Sequence, residues 1–214
     1  MPCCEYIRPA TFGLYRTRSN AKQLPLAPFL VNHAPMNNSS LLKVQTVYSG
    51  RVITVNVETV RLPNGHVTDL EIIHHPGGAA IVAVDAERRV CLIRQFRHAA
   101  GGWIWELPAG KLEPSEPPLQ TAKRELIEEA GFEGHAWISL GDYVSSPGVF
   151  TETVKLFMVH GLKRSTMAHE PAELIEVHWV PIDEACRRAL AGELNDGKTA
   201  LGLLRAQAKL KASE

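Results

Sequence analysis

The sequence has little of what would mark several protein classes. Of 214 residues only 4 are cysteine: Cys3, Cys4, Cys91 and Cys186. The adjacent pair cannot easily bridge, and no CxxC or Cys/His cluster occurs. That argues against a disulfide scaffold and a structural zinc site, and suits a reducing cytoplasmic setting. No apolar run approaches the ~18 residues a membrane helix needs. Net charge is missing as well, with 23 basic residues against 23 acidic ones. That balance gives no electrostatic reason to expect nucleic acid or an anionic membrane as a partner. No internal repeat is visible. What is there, 45% hydrophobic and 21% charged residues, suits an ordinary globular protein long enough to bury a real core.

The first 40 residues differ from the rest. They are rich in Pro, Asn, Ser and Arg, with Glu5 as the sole acid, and they lack the apolar core of a secretory signal. An Arg-rich, acid-poor leader can be a transit peptide. Without an amphipathic repeat the stretch reads better as a disordered tail, so residues 1–41 are expected to be tail and 42–214 one domain. In that domain "RVITVNVETVRLPNGHV" alternates β-branched residues up to Asn64-Gly65, a hairpin signal. "AAIVAVD" and "RVCLIRQFR" read as buried strands, with "WIWEL", "TVKLFMV" and "LIEVHWV" as further strands. Pro117 to Ala130 reads as a helix, and "IDEACRRALAGEL" and "KTALGLLRAQAKLKA" as closing helices, the first with Asp183 placed to cap it. Interspersed strands and helices predict a mixed α/β or α+β class.

The stretch "RELIEEAGF" crowds Glu125, Glu128 and Glu129 into five residues. Like charges at i,i+4 cost a helix a few tenths of a kcal/mol, so something should compensate. Pro117 and Pro118 suit a first helical turn, and Gly131 suits the left-handed position that ends one. At 100° per residue Leu119, Ala122, Leu126 and Ala130 form an apolar arc, with Glu125 and Glu129 together on its flank and Glu128 beside them. Carboxylates one turn apart meet the oxygen-donor demand of Mg²⁺, which keeps waters and shares phosphate oxygens. Taken alone, three glutamates on a helix equally describe a solvated acidic face.

Residues 110–132, "GKLEPSEPPLQTAKRELIEEAGF", decide between these. Gly110, Glu116, Arg124, Glu125, Leu126, Glu128, Glu129, Gly131 and Phe132 occupy every fixed position of G-x5-E-x7-R-E-U-x-E-E-x-G-U, where U is apolar. This is the Nudix box, and the chain resembles Nudix hydrolases from about Lys43 to Leu204. The resemblance implies a Nudix fold, an α/β/α sandwich around a mixed β-sheet, and Mg²⁺-dependent cleavage of a nucleoside diphosphate linked to another group, with Mn²⁺ as a substitute. By the same resemblance Glu125, Glu129 and the carbonyl of Ala109 are metal ligands, with Glu128 an outer or additional one. Glu116 and Arg124, with Gly110 opening the box, orient the helix carboxylates. An Arg fork can hold two acids in fixed geometry.

Pro147 stands fifteen residues after Phe132, a spacing that resembles the ADP-ribose pyrophosphatase branch. "EIIHHPGGAAIVAVD", "RQFRHAAGGWIWELPAG" and "HEPAELIEVHW" are similar to that branch too. Arg97 matches an arginine directed at substrate phosphates, which suits its planar donors. Glu173 aligns with a loop glutamate near the metals and is a candidate base and ligand, although position 171 is Pro where many relatives have an acid. Glu152 is a second candidate for base or substrate contact. Leu70 stands where some relatives place an arginine for the nucleoside end. The resemblance thus implies hydrolysis of ADP-ribose or a related nucleotide sugar, GDP-mannose or another sugar nucleotide being the alternative. It also implies a homodimer with crossing N-terminal strands. A non-catalytic nucleotide-sugar-binding regulator is the competing class, and the intact box argues against it.

Other signals carry less. "GELNDGKT" satisfies the Walker A expression, but a helix precedes it where a strand is required, so a helix–loop–helix connection is expected. The histidines lack metal-site spacing; His169 is near the candidate loop, but surface or strand-packing roles fit them better. Trp103 and Trp105 could stack a base, with at least one expected in the core or an interface.

Overall fold

The computed structural model describes residues 39–167 and 174–212. The expected tail lies outside the described residues as far as 38; residues 40 and 41 already belong to the first strand.

The elements follow one another as β1 (Ser40–Ser49), β2 (Thr54–Arg61), β3 (Val67–His74), β4 (Gly78–Ala83), β5 (Arg89–Arg97), β6 (Gly102–Glu106) and β7 (Ala109–Lys111). Then come α1 (Pro118–Ala130), β8 (Phe132–Glu133), β9 (Ala136–Val144), β10 (Thr153–His160), β11 (Lys163–Arg164), β12 (Ile175–Pro181), α2 (Ile182–Leu190) and α3 (Gly197–Lys211). The β2–β3 hairpin forms where expected, although Asn64-Gly65 sits in a five-residue connection rather than a two-residue turn. Leu62 and His66 close that loop, and Gly65 takes φ 85°.

At the centre is the order β7-β4-β10-β9, with β4 and β10 parallel and the other pairs antiparallel. A second order, β12-β5-β6, joins it through the Val84–Val90 bridge. All six residues of β4 are buried, which is why it reads as an unbroken apolar run: it is covered on both faces. Strand alternation divides its side chains. Ala79, Ile81 and Ala83 pack with Ala122, Leu126 and Ala130 of α1. Ala80 and Val82 pack with Ile182 and Ala185 of α2 and Leu203 and Ala206 of α3. Helices therefore cover both faces of a mixed sheet, the α/β/α sandwich expected.

Asp183 does not cap α2. Pro181 holds the N-cap position without a side-chain bond, because the Ile182 N–H donates to the Arg88 carbonyl (3.0 Å) and fixes the start there. Asp183 falls within the first turn and accepts from Gln207 Nε2 at 2.8 Å. Among the described residues no helix is long and apolar enough to cross a membrane.

Candidate active site

Helix α1 supplies the acids, and its limits follow from its sequence. Pro117 takes an extended conformation before it, and Pro118 opens the first turn where a missing N–H leaves nothing unsatisfied. Gly131 ends it at φ 73°, its N–H donating to the Ile127 carbonyl at 2.9 Å. Burying Ala122, Leu126 and Ala130 carries Glu125 and Glu129 into the protein with them, leaving these two carboxylate residues 8% and 2% exposed.

Strand β7 lies against that helix. A Cβ on Gly110 would stand 1.8 Å from Glu125 Oε1, so glycine is what lets the carboxylate fit against the backbone. One residue earlier the Ala109 N–H donates to Glu129 Oε2 at 2.7 Å. Arg124 then ties the acids together. Its Nε and Nη2 reach the two Glu116 oxygens at 3.2 and 3.1 Å, and its Nη1 reaches Glu125 Oε1 at 2.7 Å and Glu128 Oε2 at 2.9 Å. Glu116 is itself held by the Thr121 hydroxyl at 2.7 Å. These bonds raise the Arg124 pKa and, led by Arg124 and then Thr121, lower that of Glu116. Beneath the site, burial and then Glu129 push the Cys91 thiol up to about 12. The structure thus brings Gly110, Glu116, Arg124, Glu125, Glu128 and Glu129 into one constellation.

Among the described residues, no three His, Cys, Asp or Glu side chains converge as a formed metal cage. Chemically the set still fits a hard divalent cation. Its donors are all oxygen, two of the acids are buried one turn apart, and Gly110 leaves room for one of them beside the strand. Carboxylates buried together are costly unless positive charge meets them.

The remaining expected residues divide. Arg97, at the end of β5, donates from Nε to Glu106 Oε2 at 2.7 Å and is about two-fifths exposed. Glu152 lies 3.5 Å from His75 Nδ1. That nitrogen already accepts the Gly77 N–H at 3.0 Å, so the imidazole is unprotonated there. Burial lowers the His75 pKa, against the pull of Glu152 and with help from Lys111. Glu173, Glu170 and His169 lie outside the described residues. Trp105 packs against the core and edge-on to His178, while Trp103 is exposed beside Phe96.

Sequence reasoning missed Glu106 and Lys198. Glu106 is buried between Arg97 and Lys198, and the "GELNDGKT" segment that supplies Lys198 joins α2 to α3, as expected for a connection. The signal was a charged residue inside "WIWEL", a strand otherwise apolar enough to be buried.

Two buried carboxylates one turn apart, Glu125 held by Arg124 against Gly110 and Glu129 by the Ala109 N–H, can present oxygen donors to a hard cation. The NUDIX domain family matches residues 74–200. The chain belongs to that family and is a Nudix hydrolase. It is 37% identical over 164 residues to an ADP-ribose pyrophosphatase of Mycobacterium tuberculosis, covering 75% of this chain and 79% of that protein. To an ADP-ribose pyrophosphatase of Bacillus subtilis it is 36% identical over 167 residues, 77% and 90% of the two chains. A GDP-mannose pyrophosphatase of Cronobacter sakazakii is 33% identical over 142 residues, 61% of this chain and 73% of that one.

Proposed function

We propose that this protein hydrolyses the diphosphate of ADP-ribose, or of a related nucleotide sugar, to AMP and a sugar phosphate. The observation that carries the reading is the Arg124 fork on Glu116, Glu125 and Glu128, beside a Gly110 that no side chain can replace without displacing Glu125. Similarity to two ADP-ribose pyrophosphatases over three quarters of the chain supports the substrate. Similarity to GDP-mannose pyrophosphatases supports GDP-mannose as the alternative, and Leu70 is where selection for adenine would be loosest.

Glu125 and Glu129, with the Ala109 carbonyl and Glu173, would hold Mg²⁺, with Glu128 at the periphery and Mn²⁺ as an alternative occupant. When bound, the cation supplies Lewis-acid and template chemistry to the diphosphate. The rest falls to the chain. Arg124 restrains Glu125 and Glu128, and Ala109 restrains Glu129, so the acids need little reorganisation. Arg97 offers its guanidinium to a diphosphate oxyanion. Glu173 takes the proton of the attacking water, with Glu152 as the other candidate base or a substrate contact. The working form is a cytoplasmic homodimer, with neither nucleic acid nor membrane as partner. Support for the dimer is β1, exposed throughout and carrying Leu41, Leu42, Val44, Val47 and Tyr48 on its surface.

Phosphate release in a phosphatase-coupled assay with Mg²⁺ tests the proposal, across ADP-ribose, ADP-glucose, GDP-mannose, diadenosine polyphosphates and nucleoside triphosphates. ADP-ribose is expected to give the highest kcat/KM. A tenfold preference for GDP-mannose would overturn the substrate and leave the reaction. Binding without turnover of any of them would make the chain a regulator.

A further inference from the structure

A line of alternating charge runs from the start of α3 to Arg97. Asp196 caps α3, accepting the Thr199 N–H at 3.1 Å, and lies 3.0 Å from Lys198 Nζ. Lys198 also donates to Glu106 Oε1 at 2.5 Å, and the other oxygen of Glu106 accepts Arg97 Nε. The inner members are enclosed: the Glu106 side chain is 4% exposed and that of Lys198 16%, against 41% for Arg97. Burial alone would lower the Lys198 pKa, but Asp196 and Glu106 together outweigh it and raise it, so the ammonium stays charged. Thr199 fastens the same turn to the strap of chain that runs from Leu107 into β7 and Gly110, its hydroxyl oxygen accepting the Leu107 N–H at 2.8 Å.

The division of Glu106 between two cations has a chemical consequence. A carboxylate facing an arginine alone frequently takes it by two parallel bonds, which occupies a second guanidinium nitrogen. Here Lys198 occupies Oε1, so Arg97 is held through Nε, the one side-chain hydrogen bond it makes among the described residues. Its two terminal nitrogens are left for an oxyanion. We propose that Lys198, acting through Glu106, is a positioning residue that keeps the Arg97 guanidinium directed at the substrate's diphosphate. The inference rests on the role given to Arg97 above, and it assigns the lysine of the Walker-like segment to nucleotide binding at one remove.

Steady-state kinetics of Lys198→Met, Arg97→Ala and the double variant, in the full chain with ADP-ribose and Mg²⁺, test it. Lys198→Met is expected to raise KM about tenfold with kcat within about threefold, the pattern of lost uniform binding. In the Arg97→Ala background the same change is expected to have no further effect on KM, since both act through one contact. Lys198→Arg should restore KM to within about twofold. If Lys198→Met does not accumulate as folded protein, Lys198→Ala, which removes the donor and leaves room for water beside Glu106, runs the same cycle. Full additivity of the two substitutions overturns the proposal. So does an unchanged KM in Lys198→Met while Arg97→Ala raises it, and the assignment of Arg97 then survives. An unchanged KM in both, with normal turnover of ADP-ribose, overturns the role of Arg97 as well but leaves the hydrolase.

Discussion

Replacing Gly110 by alanine puts a methyl group where the Glu125 carboxylate now lies. The added carbon would stand 1.8 Å from Oε1 and 2.0 Å from the carboxyl carbon. Ordinary contact needs about 3.5 Å, so the carboxylate must retreat by about 1.5 Å. Gly110 is not among the glycines with positive φ, so alanine meets no backbone objection and the clash is its whole effect. What gives way is the end of a flexible side chain, at the cost of its 2.7 Å bond to Arg124. Loosening one charge-assisted bond to a partly exposed arginine costs about 1–2 kcal/mol, or about 2–8 °C in Tm for a domain of this size. Activity should suffer far more. A shift of about 1.5 Å exceeds the tolerance of Mg²⁺ coordination, and a misplacement of about 1 Å alone can cost about 10²-fold. Gly110→Ala is therefore expected to lose at least about 10²-fold in kcat while melting within several degrees of the parent. Scanning calorimetry beside the coupled phosphate assay reads both. Near-parental turnover would refute the close-approach argument, and an unfolded variant would show that Glu125 cannot yield.

Glu125→Gln and Glu129→Gln should each lower kcat by about 10²-fold or more with the fold retained by circular dichroism, since each removes an anionic oxygen; normal Mg²⁺-dependent turnover in either would remove that residue from the ligand set. Glu173→Gln should harm kcat and kcat/KM more than Glu152→Gln, and the reverse ranking would exchange their roles. The folded-state pKa of Glu116 is depressed below its usual 4.5, so below about pH 4.5 the unfolded chain takes up the proton first and stability falls as pH drops through the folded value. Glu116→Gln should flatten that acid limb in Tm measured against pH; an unaltered slope would show that the Arg124 pair contributes nothing to it. Cys91 and Cys186 are buried with thiols pushed up to about 12 and about 11, so both should resist a disulfide reagent at pH 8 until denaturant is added. Peptide mapping showing rapid native labelling of either would contradict their enclosure.

The parts legible in the sequence were those ruled by local chemistry. β5 spans the quoted run "RVCLIRQFR" from end to end because it is apolar and bounded by turns, and α1 stops at Gly131 because only a left-handed residue ends it there. The Arg124–Glu116 pairing was legible from motif spacing. Strand β7 was not: three residues carry no period, and they are extended because β4 pairs with them. Strand β9 hid behind the mixed polarity of "AWISLGDYV", most of which is not buried. Asp183 misled because the carbonyl that fixes the start of α2 belongs to Arg88, far back in the chain. Glu106, Lys198 and Arg97 could not be joined by any spacing rule, since 92 residues separate the first two.

The bond from Leu107 N–H to Thr199 has a consequence in time. It spans 92 residues, and ribosomes add about 5–20 residues per second. For roughly 5–20 s of synthesis, then, the Leu107 end of the segment leading to Ala109 and Gly110 exists without the threonine that anchors it. The box helix and its arginine can form early, from neighbours in sequence. The strap they press against is finished late, and a nascent chain should acquire its acids well before it acquires a catalyst.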